Sequence, residues 1–215
     1  MKEIFQGVYR QDKRIFTKNL VPGKKVYNER IVREGGEEYR SWNPYRSKMA
    51  GAILKGLKNF PFEEKSRILY LGVANGTTAS HFSDIARKGM IFGVETSFKP
   101  MKKFVRLCEE RRNMIPILAD ANHPERYEAI IEEIDIIYQD ISQKNQVEIF
   151  IKNMEKFKAK RGILMVKARS IDVSSPPKKI FEKVEKELGK YYKIKEKVKL
   201  SPYAKDHIAV IVEEG

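Results

Sequence analysis

The sequence predicts a doubly wound α/β fold: a mostly parallel sheet of seven strands, helices on both faces, the last strand antiparallel, and a small β-rich appendage in front. Three observations carry this expectation. After residue 65, short β-branched runs alternate with amphipathic helical patterns, and the chain closes on two adjacent strand patterns. The runs are apolar without alternation, as in strands covered on both faces. The first 55 residues instead carry short strand patterns set apart by turn signals. The expected division is therefore 1–55 for the N-terminal β-rich domain and 56–215 for the α/β domain.

Taken in order, EIFQGVYR and RIFTKNL read as strand segments separated by QDK, and VPGKK follows as a turn. ERIVREGGEEYRSW reads as a hairpin with Gly35 and Gly36 at its tip. Met49, Ala52, Ile53, Leu57 and Phe60 recur at helical spacing, and Pro61 marks the end of that helix. RILYLGV is the first apolar strand, and TTASHFSDIARK is a helix closed by Gly89. MIFGVE and IPILAD are strands on either side of the helix KPMKKFVRLCEERR. PERYEAII is a short helical piece, IDIIYQDI a strand and NQVEIFIKNMEKF a helix whose apolar residues are core. RGILMVKAR is a strand, and PPKKIFEKVEKELGK a helix with Ile180, Val184 and Leu188 on one face. YYKIKEKVKL and HIAVIVEE are the final strands, joined by SPYAKD.

The composition narrows the function classes. With 215 residues, 41% hydrophobic and 33% charged, the chain is long enough to bury a core and too apolar for disorder. It has no apolar run of membrane-spanning length, and MKEIFQGVYRQDKR is charged throughout, so a cytoplasmic protein is expected. One cysteine, Cys108, and three scattered histidines predict neither a disulfide nor a metal site. The net charge of +14 exceeds the ~2 to 8 that solubility asks of a small domain. It predicts a polyanionic partner, nucleic acid above all.

The stretch YLGVANGTTASHF then asks which ligand sits at the end of the first strand. No lysine follows Gly76, so it is not a P-loop. Ala74 stands where the dinucleotide fingerprint needs its second glycine, which disfavours a nicotinamide cofactor and with it an NAD-dependent oxidoreductase. Three later strands end in Glu95, Asp120 and Asp140. Three carboxylates repel a pyrophosphate but welcome a cationic nucleoside. S-adenosyl-L-methionine, with its sulfonium and ammonium and no phosphate, is such a ligand. Capping of the following helix is the competing account of each carboxylate taken alone.

These residues also carry a family likeness. YLGVANGTTASHFSDI, GVETS, ILADANHPERY, YQDISQKNQ and PYRSKMAGAI together resemble archaeal fibrillarin over nearly the whole chain, appendage included. The sequence departs from the family at Asn75, Thr96 and Ser142-Gln143-Lys144. The resemblance implies the Rossmann-like S-adenosylmethionine-dependent methyltransferase fold and an RNA ribose 2′-hydroxyl as methyl acceptor in rRNA and tRNA. It implies cofactor contacts at Gly72, Ala74, Gly76, Thr77, Thr78, Glu95, Thr96, Asp120, Ala121, Asp140, Ile141, Ser142 and Gln143. It implies Lys48, Asp140, Lys167 and His207 as the catalytic group. It further implies a Nop-domain scaffold protein, a kink-turn-binding subunit like a ribosomal protein, and a box C/D guide RNA with its target.

Two of the four catalytic candidates are also visible without the family. Asp140 closes a strand beside the ligand loop, and Lys167 interrupts an apolar run where its strand reaches the same edge. A hydroxyl is a poor acid, and a positioned base accelerates such transfers by about 10²- to 10⁴-fold. A non-catalytic RNA-binding subunit of the same particle is the alternative from another class.

Overall fold

The computed structural model describes residues 1–215. The appendage is a five-stranded antiparallel sheet in the order β1-β2-β3-β5-β4. Its strands are β1 (Lys2–Phe5), β2 (Val8–Gln11), β3 (Arg14–Lys18), β4 (Ile31–Glu34) and β5 (Glu37–Ser41). The stretch EIFQGVYR is not one strand, because a turn at Gly7, with φ +73°, folds it into the β1–β2 hairpin.

Helix α1 (Lys48–Leu54) follows, capped by Ser47, whose side chain accepts from the Ala50 N–H. It is shorter than its periodicity predicts. Gly56 adopts φ +93° and stops it, so Leu57 and Phe60 lie beyond its end. Leu57 is buried all the same, which is why the apolar spacing ran on.

The α/β portion comprises β6 (Arg67–Leu71), α2 (Thr77–Ile85), β7 (Met90–Glu95), α3 (Phe98–Glu110), β8 (Met114–Leu118), β9 (Ile136–Gln139), α4 (Gln146–Phe157), β10 (Arg161–Lys167), α5 (Ala168–Ile171), α6 (Pro177–Leu188), β11 (Lys193–Lys199) and β12 (His207–Glu213). Helix α2 stops at Ile85, four residues short of Gly89. Gly89 serves a close crossing instead, since a Cβ there would lie 2.0 Å from the Ser66 carbonyl oxygen. PERYEAII forms two 3-10 turns, Pro124–Arg126 and Glu128–Ile130. The strand RGILMVKAR ends at Lys167, and Ala168 and Arg169 open the short helix α5.

The seven strands lie in the order β11-β12-β10-β9-β6-β7-β8. From β8 to β10 all pairings are parallel, and β12 runs antiparallel to both of its neighbours. The order reverses at β6 and β9. That crevice, outside the carboxyl ends of the strands, is where ligands bind in open α/β sheets.

Successive residues of β6 feed opposite cores. Ile68 and Tyr70 join the layer of α1, α2 and α3, while Leu69 and Leu71 join that of α4 and α6. The first layer also holds Val8, Ile15 and Trp42, so the appendage and the α/β portion share one apolar cluster. A buried ionic group crosses the same boundary. The Arg40 guanidinium donates to Glu29 at 2.6 Å and to Asp84 at 2.8 Å, and Arg111 donates to Asp84 at 2.6 Å. Burial holds the His81 imidazole well below its ordinary value, with Arg40 and Arg111 acting in the same sense. No helix is long and apolar enough to cross a membrane.

Candidate active site

Beyond the ends of β6, β7, β8 and β9 lies a cleft of about 380 Å³, lined among others by Gly72, Ala74, Glu95, Asp120 and Asp140. Backbone geometry makes room for it. Gly72 adopts φ +80°, and a Cβ there would lie 2.7 Å from the Asp140 carbonyl oxygen. Only a residue without a side chain lets the ends of β6 and β9 approach so closely. Ala74 also takes a left-handed conformation, φ +51°, in which its N–H donates to Glu95 Oε2 at 3.0 Å. The other Glu95 oxygen accepts from the Ser97 N–H at 2.9 Å. Both bonds fix the carboxylate at the cleft wall, and each oxygen keeps a lone pair for a ligand hydroxyl.

Asp120 combines two jobs. Its Oδ1 accepts from the backbone N–H and the side-chain amide of Asn122 at 2.9 and 2.8 Å. These two bonds, backbone first, hold its carboxyl below the usual carboxylate range. Asn122 continues to Gln143 Oε1 at 3.0 Å and accepts from the Asn145 amide at 2.8 Å. The network joins the loop after β8 to the loop after β9. Helix capping, the competing account of Asp120, is not what it does: the 3-10 turn that follows has His123 at its start and no side-chain cap, and Asp120 instead closes a turn onto Asn122 within the cleft wall.

Thr96, Ala121, Ile141, Ser142 and Gln143 complete the expected lining, and Val94, Ser97 and Ala119 add to it. The sequence reading missed these last three because they are flanks of the strand-end acids, without chemistry of their own. Gly76, Thr77 and Thr78 do not line the cleft. Gly76 is the left-handed N-cap of α2 and faces Phe104. The Thr78 hydroxyl donates to Ser47 Oγ at 3.0 Å, tying the first turn of α2 to the cap of α1.

That cap sets the position of Lys48. Its ammonium donates to both Asp140 oxygens, at 2.7 and 2.9 Å, with the two side chains 27% and 19% exposed. Lys167 donates to Ser142 Oγ at 3.1 Å. Its backbone is clasped by the buried Gln146, whose Oε1 accepts from the Lys167 N–H at 2.9 Å. Nothing but a polar residue in the first turn of an apolar helix marks Gln146 in the sequence. Lys167 and His207 are paired directly across β10 and β12. The His207 Nδ1–H donates to the Lys205 carbonyl at 2.6 Å, which leaves Nε2 as the acceptor of the neutral ring. Burial, then Lys48 and Lys167, push His207 below its ordinary value, against the opposing pull of Asp140 and the Lys205 carbonyl. The structure thus gathers Lys48, Asp140, Lys167 and His207, drawn from four distant parts of the chain, at one mouth of the cleft.

A sheet of this order, with acids at successive strand ends and β12 reversed, is the S-adenosylmethionine-dependent methyltransferase fold. The family model of fibrillarin matches residues 1–214. The chain is 49% identical to the fibrillarin-like rRNA/tRNA 2′-O-methyltransferase of Thermococcus sibiricus, over 99% of this chain and 98% of that one. The structure of the Methanococcus jannaschii fibrillarin pre-rRNA processing protein matches with a TM-score of 0.95 at 47% identity, covering 99% and 96% of the two chains. An Aeropyrum pernix fibrillarin with natively bound S-adenosyl-L-methionine matches with a TM-score of 0.85 at 43% identity, over 95% of this chain and 97% of that one. A fibrillarin/Nop5p complex gives 0.92 at 43% identity, with full coverage of both chains. The chain belongs to the fibrillarin family.

Proposed function

We propose that the protein transfers a methyl group from S-adenosylmethionine to the 2′-hydroxyl of a ribose in rRNA and tRNA, at sites chosen by a box C/D guide RNA. The observation that carries this reading is the Lys48–Asp140 pair standing at the mouth of an acid-lined cleft, beside Lys167 and His207. The donor set suits the cofactor. Glu95 offers acceptors for two ribose hydroxyls, Asp120 an acceptor for an exocyclic amine, and Ala121 and Ile141 an apolar seat for a base. No phosphate-binding lysine lies in the lining. When bound, the cofactor supplies a methyl group on a sulfonium that leaves as a neutral thioether.

The remaining work falls to the chain. Asp140 holds the incoming hydroxyl by its proton, and Lys48 holds Asp140 in place. Good orientation contributes about 7 to 11 kcal/mol to such a displacement. The His207 ring, with Nε2 open to accept, stands ready to carry the proton away, and the Lys167 ammonium beside it steadies the negative charge that develops on the oxygen. Glu95, Asp120 and their partners are cofactor-holding residues in this reading, and Thr78 acts from behind by setting α2 against α1.

The family relationship supports a Nop-domain scaffold as partner, and the net charge of +14 supports RNA as substrate. We place a kink-turn-binding subunit and the guide RNA in the same particle, and the particle in the cytoplasm. We propose further that 1–55 and 56–215 divide the work across the core that they share.

Asp140→Asn tests the catalytic assignment. Methyl transfer in the reconstituted particle should fall by at least about 10²-fold, the typical contribution of a positioned base. Particle assembly should persist, and S-adenosylmethionine affinity by calorimetry should fall far less than the rate. Activity within a few-fold of wild type would remove Asp140 from the chemistry.

A further inference from the structure

A second cleft, of about 420 Å³, opens on the appendage side of α1. Its rim carries Tyr45 and Tyr203, whose rings meet edge to face with centroids 5.2 Å apart. Tyr45 is 70% exposed, yet it is held. Its N–H donates to Asn43 Oδ1 at 2.8 Å, which fixes the turn that presents the ring. Tyr203 is seated on α1 by Gly51, where a Cβ would stand 3.2 Å from the Tyr203 Cβ. Gly51 lies three residues beyond Lys48, on the same side of the helix. Lys48 and the seat of Tyr203 therefore lie within one turn of α1.

Charge gives the cleft its sign. Lys13 and Arg14 line it, and Arg46 follows Tyr45. None of the three cations pairs with a carboxylate, and no aspartate or glutamate lines the cleft. Arg169 is by contrast tied to Asp206 at 3.1 Å. Unpaired cations around an exposed tyrosine backed by a half-buried one are the chemistry that takes up a sugar–phosphate chain. A 2′-hydroxyl lies in the wide, shallow minor groove of an A-form helix, so the riboses flanking the acceptor face whatever surrounds the catalytic pair.

We infer that this cleft binds the RNA strand that carries the acceptor ribose. Tyr45 and Tyr203 pack against a flanking nucleotide, and Lys13, Arg14 and Arg46 hold its phosphates. Tyr45 lies only three residues from Lys48, within about 11 Å even along an extended chain, which places the contact within a few nucleotides of the reacting one. The contact reads no sequence, and it presents the ribose to Asp140 in register. The inference rests on the acceptor assigned above and adds the surface that positions it.

The test uses the reconstituted particle, a guide RNA and its matched target RNA. In Tyr45→Ala, KM for the target should rise severalfold, through loss of one ring packed against the sugar–phosphate chain. In the triple variant Lys13→Ala, Arg14→Ala, Arg46→Ala, KM should also rise, and the dependence of log KM on log salt should flatten by about two to three. S-adenosylmethionine affinity should keep its wild-type value in both. A photo-crosslinking residue at position 45 should label the target strand. Unchanged KM in both variants, with an active wild-type particle, overturns the inference, and so does a crosslink to the scaffold protein instead of the RNA. A wild-type particle that methylates no ribose overturns the acceptor assignment itself, a result distinguishable from the first.

Discussion

Asp140 receives both of its bonds from Lys48, a residue 92 positions away, so the reacting carboxylate is organised by a helix that precedes the sheet. The electrostatics of His207 depend on the same small group. Burial is the main cause of its depressed pKa, and Lys48 and Lys167 add to it. The charged form of the ring is therefore disfavoured relative to an ordinary imidazole. Removing one neighbouring cation weakens the depression, so the pKa must rise. NMR titration of the His207 ring should give a value below the ordinary 6.5 in the wild type and a higher one in Lys167→Ala. An unchanged or lower value in the variant would mean that Lys167 does not bear on the ring. At this scale the sequence marked Asp140 and Lys167 by their strand-end placement, while Lys48 rested on family likeness alone. The reason is physical: a lysine in the first turn of a helix has the same local signature whether it meets water or, as here, a carboxylate from another element.

The turn between β6 and α2 is where element geometry becomes function. Gly72 brings the ends of β6 and β9 together, and Gly76 opens α2 in a left-handed conformation. Gly72→Ala forces a side chain into φ +80° and against the Asp140 carbonyl oxygen at 2.7 Å. The left-handed backbone alone costs about 1–2 kcal/mol. The variant should melt several degrees lower and bind S-adenosylmethionine measurably more weakly, since the clash displaces a cleft wall. Wild-type affinity by calorimetry would show that the close approach of β6 and β9 does not shape the cleft. The strands were legible because β-branched residues buried on both faces leave a plain pattern, as in RILYL and MIFGVE. Helix ends were not. Leu57 continues the apolar spacing of α1 after Gly56 has ended it, and Gly89 signals a chain crossing at Ser66 that resembles a helix stop in sequence.

Across the whole molecule, the appendage is bound to the α/β portion by charge as well as by apolar packing. The side chains of Arg40, Glu29, Asp84 and Arg111 are 0–1% exposed and interlocked. Removing one partner of such a group strands the others, at a cost of about 3–5 kcal/mol. Asp84→Asn should lower the urea midpoint accordingly. Trp42, the only tryptophan, stacks on His81 in the same interface and reports on it directly. In the wild type, Trp42 fluorescence and far-ultraviolet circular dichroism should trace one transition, because a single apolar cluster spans both parts. An earlier fluorescence transition would show that the appendage unfolds by itself. None of this interlocking was legible in the sequence. Arg40, Asp84 and Arg111 are far apart in the chain, and isolated charges on amphipathic elements read as solvated. The excess of positive charge was legible, because it survives as a sum over the surface wherever the individual residues fall.

The central claim is that the acceptor is a ribose 2′-hydroxyl. The measurement that tests it most directly is transfer of labelled methyl from S-adenosylmethionine in the reconstituted particle to two target RNAs, one with a ribose and one with a 2′-deoxyribose at the guided nucleotide. Label on the ribose target alone is the predicted result. Equal label on both would move the acceptor to a base or to a protein and contradict the account.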